Sequence, residues 1–289
     1  MAGSLTKMPR PESPNNDLDD PRLPIPQTQV RALVSPILES PTPFLIKKGI
    51  LRLIEPTDAN LGELIRQILA GKYAKPFVID DGRKRSMHFS LAHVQSAMRI
   101  VDPFTLELAY TRKMMGFLLF RPEPRRVLII GLGGGSLAKY CYRHLPQSRI
   151  TSVEISREVI AFRDLFEIPP DDPRFRIVHA DAIEYLANGT ESADAILLDG
   201  YDPHGITPGF FDRDFYLNLR RRLAVDCVLT ANLSGEKSVY QAHLALMREV
   251  FEDRVLVLDV AGVKNKVAFV FNSDDFHHHF RMRANARLN

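Results

Sequence analysis

Val127-Leu128-Ile129-Ile130-Gly131-Leu132-Gly133-Gly134-Gly135-Ser136 decides the reading of this chain. Four apolar residues in a row suit a parallel strand buried on both faces. The glycines that follow let the backbone turn sharply and approach a ligand closely. The helix opening after them presents unpaired N–H groups at its N-terminus. Downstream the same rhythm repeats. Ile150–Glu154, Phe175–His179, Ala195–Leu198 and Cys227–Thr230 read as strands. Leu137–Leu145, Ser156–Phe166, Ala182–Leu186, Asp214–Leu223 and Val239–Phe251 read as helices, with Ser156 placed to cap the second. Val255–Leu258 and Val267–Phe271, joined by a short turn, close the chain as an antiparallel edge pair. Such alternation predicts an α/β protein built on a doubly wound, Rossmann-like parallel sheet.

The strand ends carry the chemistry. Glu154 closes the second strand, 23 residues after Gly131. A carboxylate there can accept both hydroxyls of a ribose. Asp181 follows the third strand and Asp199 the fourth. Ligands of open α/β sheets bind beyond the carboxyl ends of the strands, so these four ends describe one crevice. An acid just after a strand is also a common helix cap or turn residue, and that reading stands beside the first. A dinucleotide-binding dehydrogenase shares the glycine loop, but the chain after Asp199 does not resemble its second nucleotide-binding half. In Asp199-Gly200-Tyr201-Asp202-Pro203-His204-Gly205 two carboxylates stand three residues apart. Such a pair can bind an amine, orient it and take its proton. Each raises the other's proton affinity, which suits a base working near neutral pH. The plainer alternative is an Asp-Pro turn with capping acids. His204 reads as a loop residue and His277-His278-His279 as a solvated turn. Adjacent histidines share no helix face, so no metal site is assigned. Arg220-Arg221-Arg222 reads as the exposed last turn of a helix, favoured by its dipole.

Composition sets the outer bounds. A chain of 289 residues, 45% hydrophobic and 25% charged, supports one large α/β domain or one domain plus a small appendage. Cys141 and Cys227 lie in apolar segments without metal-ligand spacing and read as buried, reduced thiols of a cytoplasmic protein. No apolar run reaches the roughly 20 residues of a membrane span, and no signal-peptide core opens the chain. A net charge of +3, with basic and acidic residues interleaved, gives no nucleic-acid footprint. Residues 1–45 are rich in Pro, Ser, Asn and Asp and read as a disordered arm. Residues 46–105 read as a small β-rich domain, with a helix over Asn60–Leu69 and strands at Lys75–Gly82, Met87–Phe89 and Val94–Met98. Residues 106–289 form the nucleotide-binding catalytic domain, opening with a helix to Leu119.

These residues resemble the spermidine/spermine synthase (polyamine aminopropyltransferase) family. The resemblance rests on Val127–Ser136, Val153-Glu154-Ile155, Asp171-Asp172-Pro173-Arg174, Ala180–Leu186, Leu198–Pro203 and Phe215-Tyr216. Gln95-Ser96-Ala97-Met98 and Tyr110–Met115 are similar to a divergent bacterial, spermidine synthase-like branch. The resemblance implies an S-adenosylmethionine-type Rossmann domain behind a small N-terminal β domain, assembled as a homodimer. It implies transfer of an aminopropyl group from decarboxylated S-adenosylmethionine to an amine, without a permanently bound cofactor. Gly131, Gly133, Gly134 and Gly135 would cradle the donor. Glu154 would bind its ribose, Asp181 its adenine amino group, and Gln95 would stand where donor and amine meet. Tyr110 and Tyr201 would contact substrate, while Asp199 and Asp202 would hold and deprotonate the amine.

Two departures bear on chemistry. Gly134 stands where the family carries an Asp that pairs with the decarboxylated donor's amino group and repels the carboxylate of ordinary S-adenosylmethionine. Discrimination between donors is expected to fall. Tyr110 is followed by Thr111 and Arg112 where the family carries His and Glu, so a cation is expected where an acid would hold a polyamine. The chain also lacks tryptophan. The alternative readings are a methyltransferase using S-adenosylmethionine and a non-catalytic nucleoside-binding protein.

Overall fold

The computed structural model describes residues 35–44, 48–202, 205–206 and 208–273. The amino-terminal part is a five-stranded antiparallel sheet in simple order: β1 (Ile37–Pro41), β2 (Ile50–Ile54), β3 (Phe77–Asp80), β4 (Lys84–His88) and β5 (Ser96–Arg99). Helix α1 (Leu61–Leu69) is capped by the Asn60 side chain, which accepts from the Glu63 N–H. It lays Ile68 over Leu51, Leu53, Phe77 and Ile79. Val78, Met87 and Met98 face the opposite way and join the main core. Strand β1 corrects the expected boundary at residue 45. Ile37–Pro41 pairs with β2, so this stretch belongs to the sheet. Prolines are tolerated there because β1 is an edge strand with one side free of the ladder. The rest of the expected arm, 1–34, lies outside the described residues.

After α2 (Ala109–Met114), which tightens into a 3-10 turn over Met115–Leu119, the alternation begins. The elements are β6 (Arg126–Ile130), α3 (Ser136–His144), β7 (Arg149–Glu154), α4 (Arg157–Ala161), β8 (Phe175–His179), α5 (Ala182–Asn188) and β9 (Ala193–Leu198). A two-residue ladder of β10 (Tyr201–Asp202) with β11 (Gly205–Ile206) intervenes. Then follow α6 (Arg213–Arg222), β12 (Leu223–Leu233), α7 (Lys237–Val250), β13 (Val255–Asp259) and β14 (Lys266–Phe271). The sheet order is β13-β14-β12-β9-β6-β7-β8. Only β14 runs against the others, so the closing strands pair as expected while β13 lies parallel to the rest.

The decisive strand behaves as its composition demands. Val127 and Ile129 enter the core under α3 and the small sheet, while Leu128 and Ile130 enter the core under α6 and α7. The helix expected to reach Phe166 stops at Ala161. Beyond it the chain is bent by outside partners: the Lys139 ammonium donates to the Phe166 carbonyl at 2.7 Å, and the Arg85 guanidinium donates to the Leu165 carbonyl. Arg85 is itself paired with Asp80, so the small sheet reaches across to fix this turn. Among the described residues no helix is long and apolar enough to cross a membrane. Cys141 and Cys227 are buried and unpaired.

Candidate active site

Strand order reverses between β6 and β9, and a cavity of about 650 Å³ opens beyond the carboxyl ends of β6, β7, β9 and β12. Gly131, Gly133, Glu154, Asp181, Asp199, Gln95 and Tyr110 all line it. The three acids read from the sequence therefore share one space. Gly134 and Gly135 do not face it. The Tyr201 and Asp202 side chains, with His204 and His277–His279, lie outside what is described.

Gly131 has φ +94°, and a Cβ there would stand 2.3 Å from the Asp199 carbonyl oxygen. Only glycine allows the turn after β6 to pass so close to the turn after β9. Gly134 has a different reason. A Cβ there would meet Phe166 Cδ1 and Ser96 Oγ, both at 2.7 Å. The space an aspartate would need is filled by the Phe166 ring and by β5 of the small sheet. Gly134→Asp should thus fail to restore the family pattern. The expected result is a loss of about 1–3 kcal/mol in urea unfolding, as for other overpacked sites. An unchanged midpoint would show that the loop can rearrange.

Glu154 is fixed through both oxygens: Oε2 accepts from the Leu132 N–H and Oε1 from the Ser156 N–H, each at 2.9 Å. Burial raises its proton affinity, opposed by these backbone donors. Asp181 realises both of its readings. Its Oδ1 accepts from the Ile183 N–H at 2.7 Å and caps α5, while the residue lines the cavity.

Asp199 is gripped from two sides. Its Oδ2 accepts from the Tyr110 hydroxyl at 3.2 Å and its Oδ1 from Asn232 Nδ2 at 2.8 Å. Asn265 Nδ2 donates to Asn232 Oδ1 at 2.9 Å, which orients the amide with its NH2 toward Asp199. Burial lifts the Asp199 carboxyl above the usual carboxylate range, against the pull of Asn232 and Tyr110. Asn232 and Asn265 were missed from the sequence. Asn232 stands at the carboxyl end of β12, so the strand-end rule that found the acids would have found it too.

Arg112 does not act as its position suggested. It is exposed, and its Nη1 donates to the carbonyls of Leu106 and Glu107 at 2.8 Å. It is not part of the cavity wall, whereas its neighbour Thr111 is. Among the described residues the wall holds three carboxylates and no lysine or arginine. The charge of such a space favours cations over a pyrophosphate. No cluster able to hold a metal is found among the described residues.

Residues 107–259 match the family described as the spermine/spermidine synthase domain. A polyamine aminopropyltransferase from Neisseria meningitidis is 38% identical over 199 residues, covering 68% of this chain and 75% of that protein. Among solved structures, a probable spermidine synthase from Corynebacterium glutamicum superposes with a TM-score of 0.59 at 23% identity, over 68% of this chain and 77% of its own. A spermidine synthase bound to the transition-state analogue AdoDATO gives 0.54 at 19% identity, over 83% of this chain and 75% of its own. These two establish a common fold with the present chain.

Proposed function

Since the chain belongs to the spermine/spermidine synthase family, we propose that it moves an aminopropyl group from decarboxylated S-adenosylmethionine to a small amine. The observation that carries this reading is the cavity wall, which holds Glu154, Asp181 and Asp199 without a facing lysine or arginine among the described residues. Donor and acceptor are both cationic, so an acid-only wall concentrates both.

In this reading the glycine turn and Glu154 seat the nucleoside, with Glu154 on the ribose hydroxyls and the outer oxygen of Asp181 on the adenine amino group. Gln95 stands beside Tyr110, whose hydroxyl lies 3.5 Å from the Gln95 carbonyl oxygen, where the two substrates would meet. The amine attacks the methylene bonded to the sulfonium. A C–N bond forms, the C–S bond breaks, and its electron pair leaves with the neutral thioether. The proton that must leave the bound ammonium to free the attacking lone pair goes to Asp199, with Asp202 as the second acid of that loop. Tyr110 and Asn232 hold the Asp199 carboxylate still while this happens. Positioning and exclusion of water supply the acceleration, because the leaving group needs no help.

The test is product mass. Purified protein incubated with the decarboxylated donor and a diamine should yield an aminopropylated amine and methylthioadenosine. A product heavier by one methyl group from ordinary S-adenosylmethionine, with none from the decarboxylated donor, would move the chain to methyl transfer.

A further inference from the structure

The opposite end of the sheet holds a second cavity of about 230 Å³, at the amino ends of β6, β7, β8 and β9. Five arginines line it, Arg126, Arg149, Arg174, Arg176 and Arg222, against two acids, Asp172 and Glu191. From this arrangement we propose that the cavity binds the phosphate chain of a di- or triphosphate, at a site separate from the catalytic crevice.

The floor is made of cations whose charge the protein leaves standing. Arg222, expected to be exposed, is buried at 3% exposure. It donates to the carbonyls of Glu191 and Tyr185 at 2.5 and 2.9 Å and lies over the Tyr185 ring. Its room comes from Gly189, where a Cβ would stand 1.6 Å from Nη1. Carbonyls satisfy its N–H groups without cancelling its charge, and a buried charge is ordinarily paired. Arg174 is held in the same manner, by the carbonyls of Tyr142, Leu145 and Pro146 and by the Tyr142 ring. Of the two acids, Asp172 accepts from the Tyr142 hydroxyl and from the Arg174 and Phe175 N–H groups, and its charge offsets part of that of Arg174, so the five arginines outnumber the acids by three. Glu191 is exposed and reaches Arg176 at 3.6 Å.

The walls are arms that could close on an anion. Arg126 and Arg149 are register partners on adjacent parallel strands, and Arg176 is the register partner of Thr151 on the next strand. Side chains alternate along a strand, so Arg149 and Thr151 share a face, and all three guanidiniums rise from it. Like charges opposite one another destabilise a sheet unless something lies between them. Arg126 donates to the Ser192 hydroxyl, and the Arg149 guanidinium has no partner among the described residues. Three arginines on three successive strands span about 10 Å at roughly 4.8 Å per step. A phosphate chain can bridge that span, through the forked donors that suit its oxygens.

Calorimetry with tripolyphosphate, ATP and orthophosphate tests this. Tripolyphosphate should bind the wild-type chain with an affinity that falls as salt is raised, and orthophosphate at least tenfold more weakly. Arg126→Ser with Arg149→Ser should weaken tripolyphosphate at least tenfold while leaving the melting temperature of the free protein in place. ATP binding no tighter than tripolyphosphate assigns the site to the phosphate chain alone, and tighter binding assigns it to a nucleotide. The control pair Arg213→Ser with Arg248→Ser, on helices α6 and α7, should change nothing. No heat at millimolar tripolyphosphate, or affinity that survives the first pair or falls equally in the control, overturns the proposal. The catalytic donor should not displace tripolyphosphate, which keeps this result independent of the proposed activity.

Discussion

Asp199→Asn should abolish turnover while the folded protein and its donor complex remain intact. The substitution keeps the shape of the side chain. Its amide oxygen can still accept from Asn232 Nδ2, and its NH2 can donate to the Tyr110 hydroxyl, which accepts as readily as it donates. What disappears is the group that takes the proton. General-base contributions of this kind are worth about 10²–10⁴ in rate. Stability should move the other way. Burial raises the folded-state proton affinity of Asp199, so its contribution is complete below its unfolded pKa and is lost as pH rises through the folded value. Wherever Asp199 is ionised the wild-type chain holds a buried carboxylate against that penalty, and the asparagine variant does not. The measurement is paired. Single-turnover kinetics should show the loss, and thermal melting at pH 7 should show a midpoint equal to or above wild type. The midpoint should still rise on adding donor. Wild-type turnover in the variant would remove Asp199 from the reaction. A lost response to donor would recast it as a nucleoside ligand.

The sequence was most legible where one physical demand acted alone. A strand buried on both faces must be apolar throughout, and β6 announces itself for that reason. Glu154, Asp181 and Asp199 were legible because they stand at the carboxyl ends of parallel strands, where open sheets bind their ligands, and all three line the shared crevice. Where two demands competed, reading along the chain fell short. Arg222 obeys the helix-dipole rule at the end of α6, yet it is buried, because Gly189 on a distant turn makes room for it. Gly134 looked like the loss of a selecting acid. The structure adds that Phe166 and Ser96 occupy the space, a fact set by contacts 32 and 38 residues away in sequence. Asn232 and Asn265 are brought together by the antiparallel neighbours β12 and β14, and neither residue carries a periodic signal. Arg112 was misread because its place in a motif implied a direction, whereas local carbonyls turned it outward.

The donor preference should survive the loss of the loop acid. Ordinary S-adenosylmethionine carries a carboxylate that the decarboxylated donor lacks. In the crevice that carboxylate, at the far end of the donor from the adenine held by Asp181, would face Asp199 with no lysine or arginine among the described residues to receive it. At roughly 6 Å and an effective dielectric constant near 20, one such repulsion is worth about 2–3 kcal/mol. That is about a hundredfold in affinity. Side-chain ionisation moderates the figure, since burial raises the proton affinity of Asp199 and Glu154 and a neutral acid repels nothing. The discrimination should therefore grow as pH rises through the range where these carboxyls ionise, and shrink below it. Calorimetric titration with both donors across a range of pH measures this directly. The decarboxylated donor should bind tighter throughout, by the larger factor at higher pH, and its binding should release protons as the cation draws the acids into their charged form. Equal affinity for the two donors, or tighter binding of the ordinary one, would mean that the crevice charge does not select. The acid-only wall would then lose its standing as the reason to prefer aminopropyl over methyl transfer.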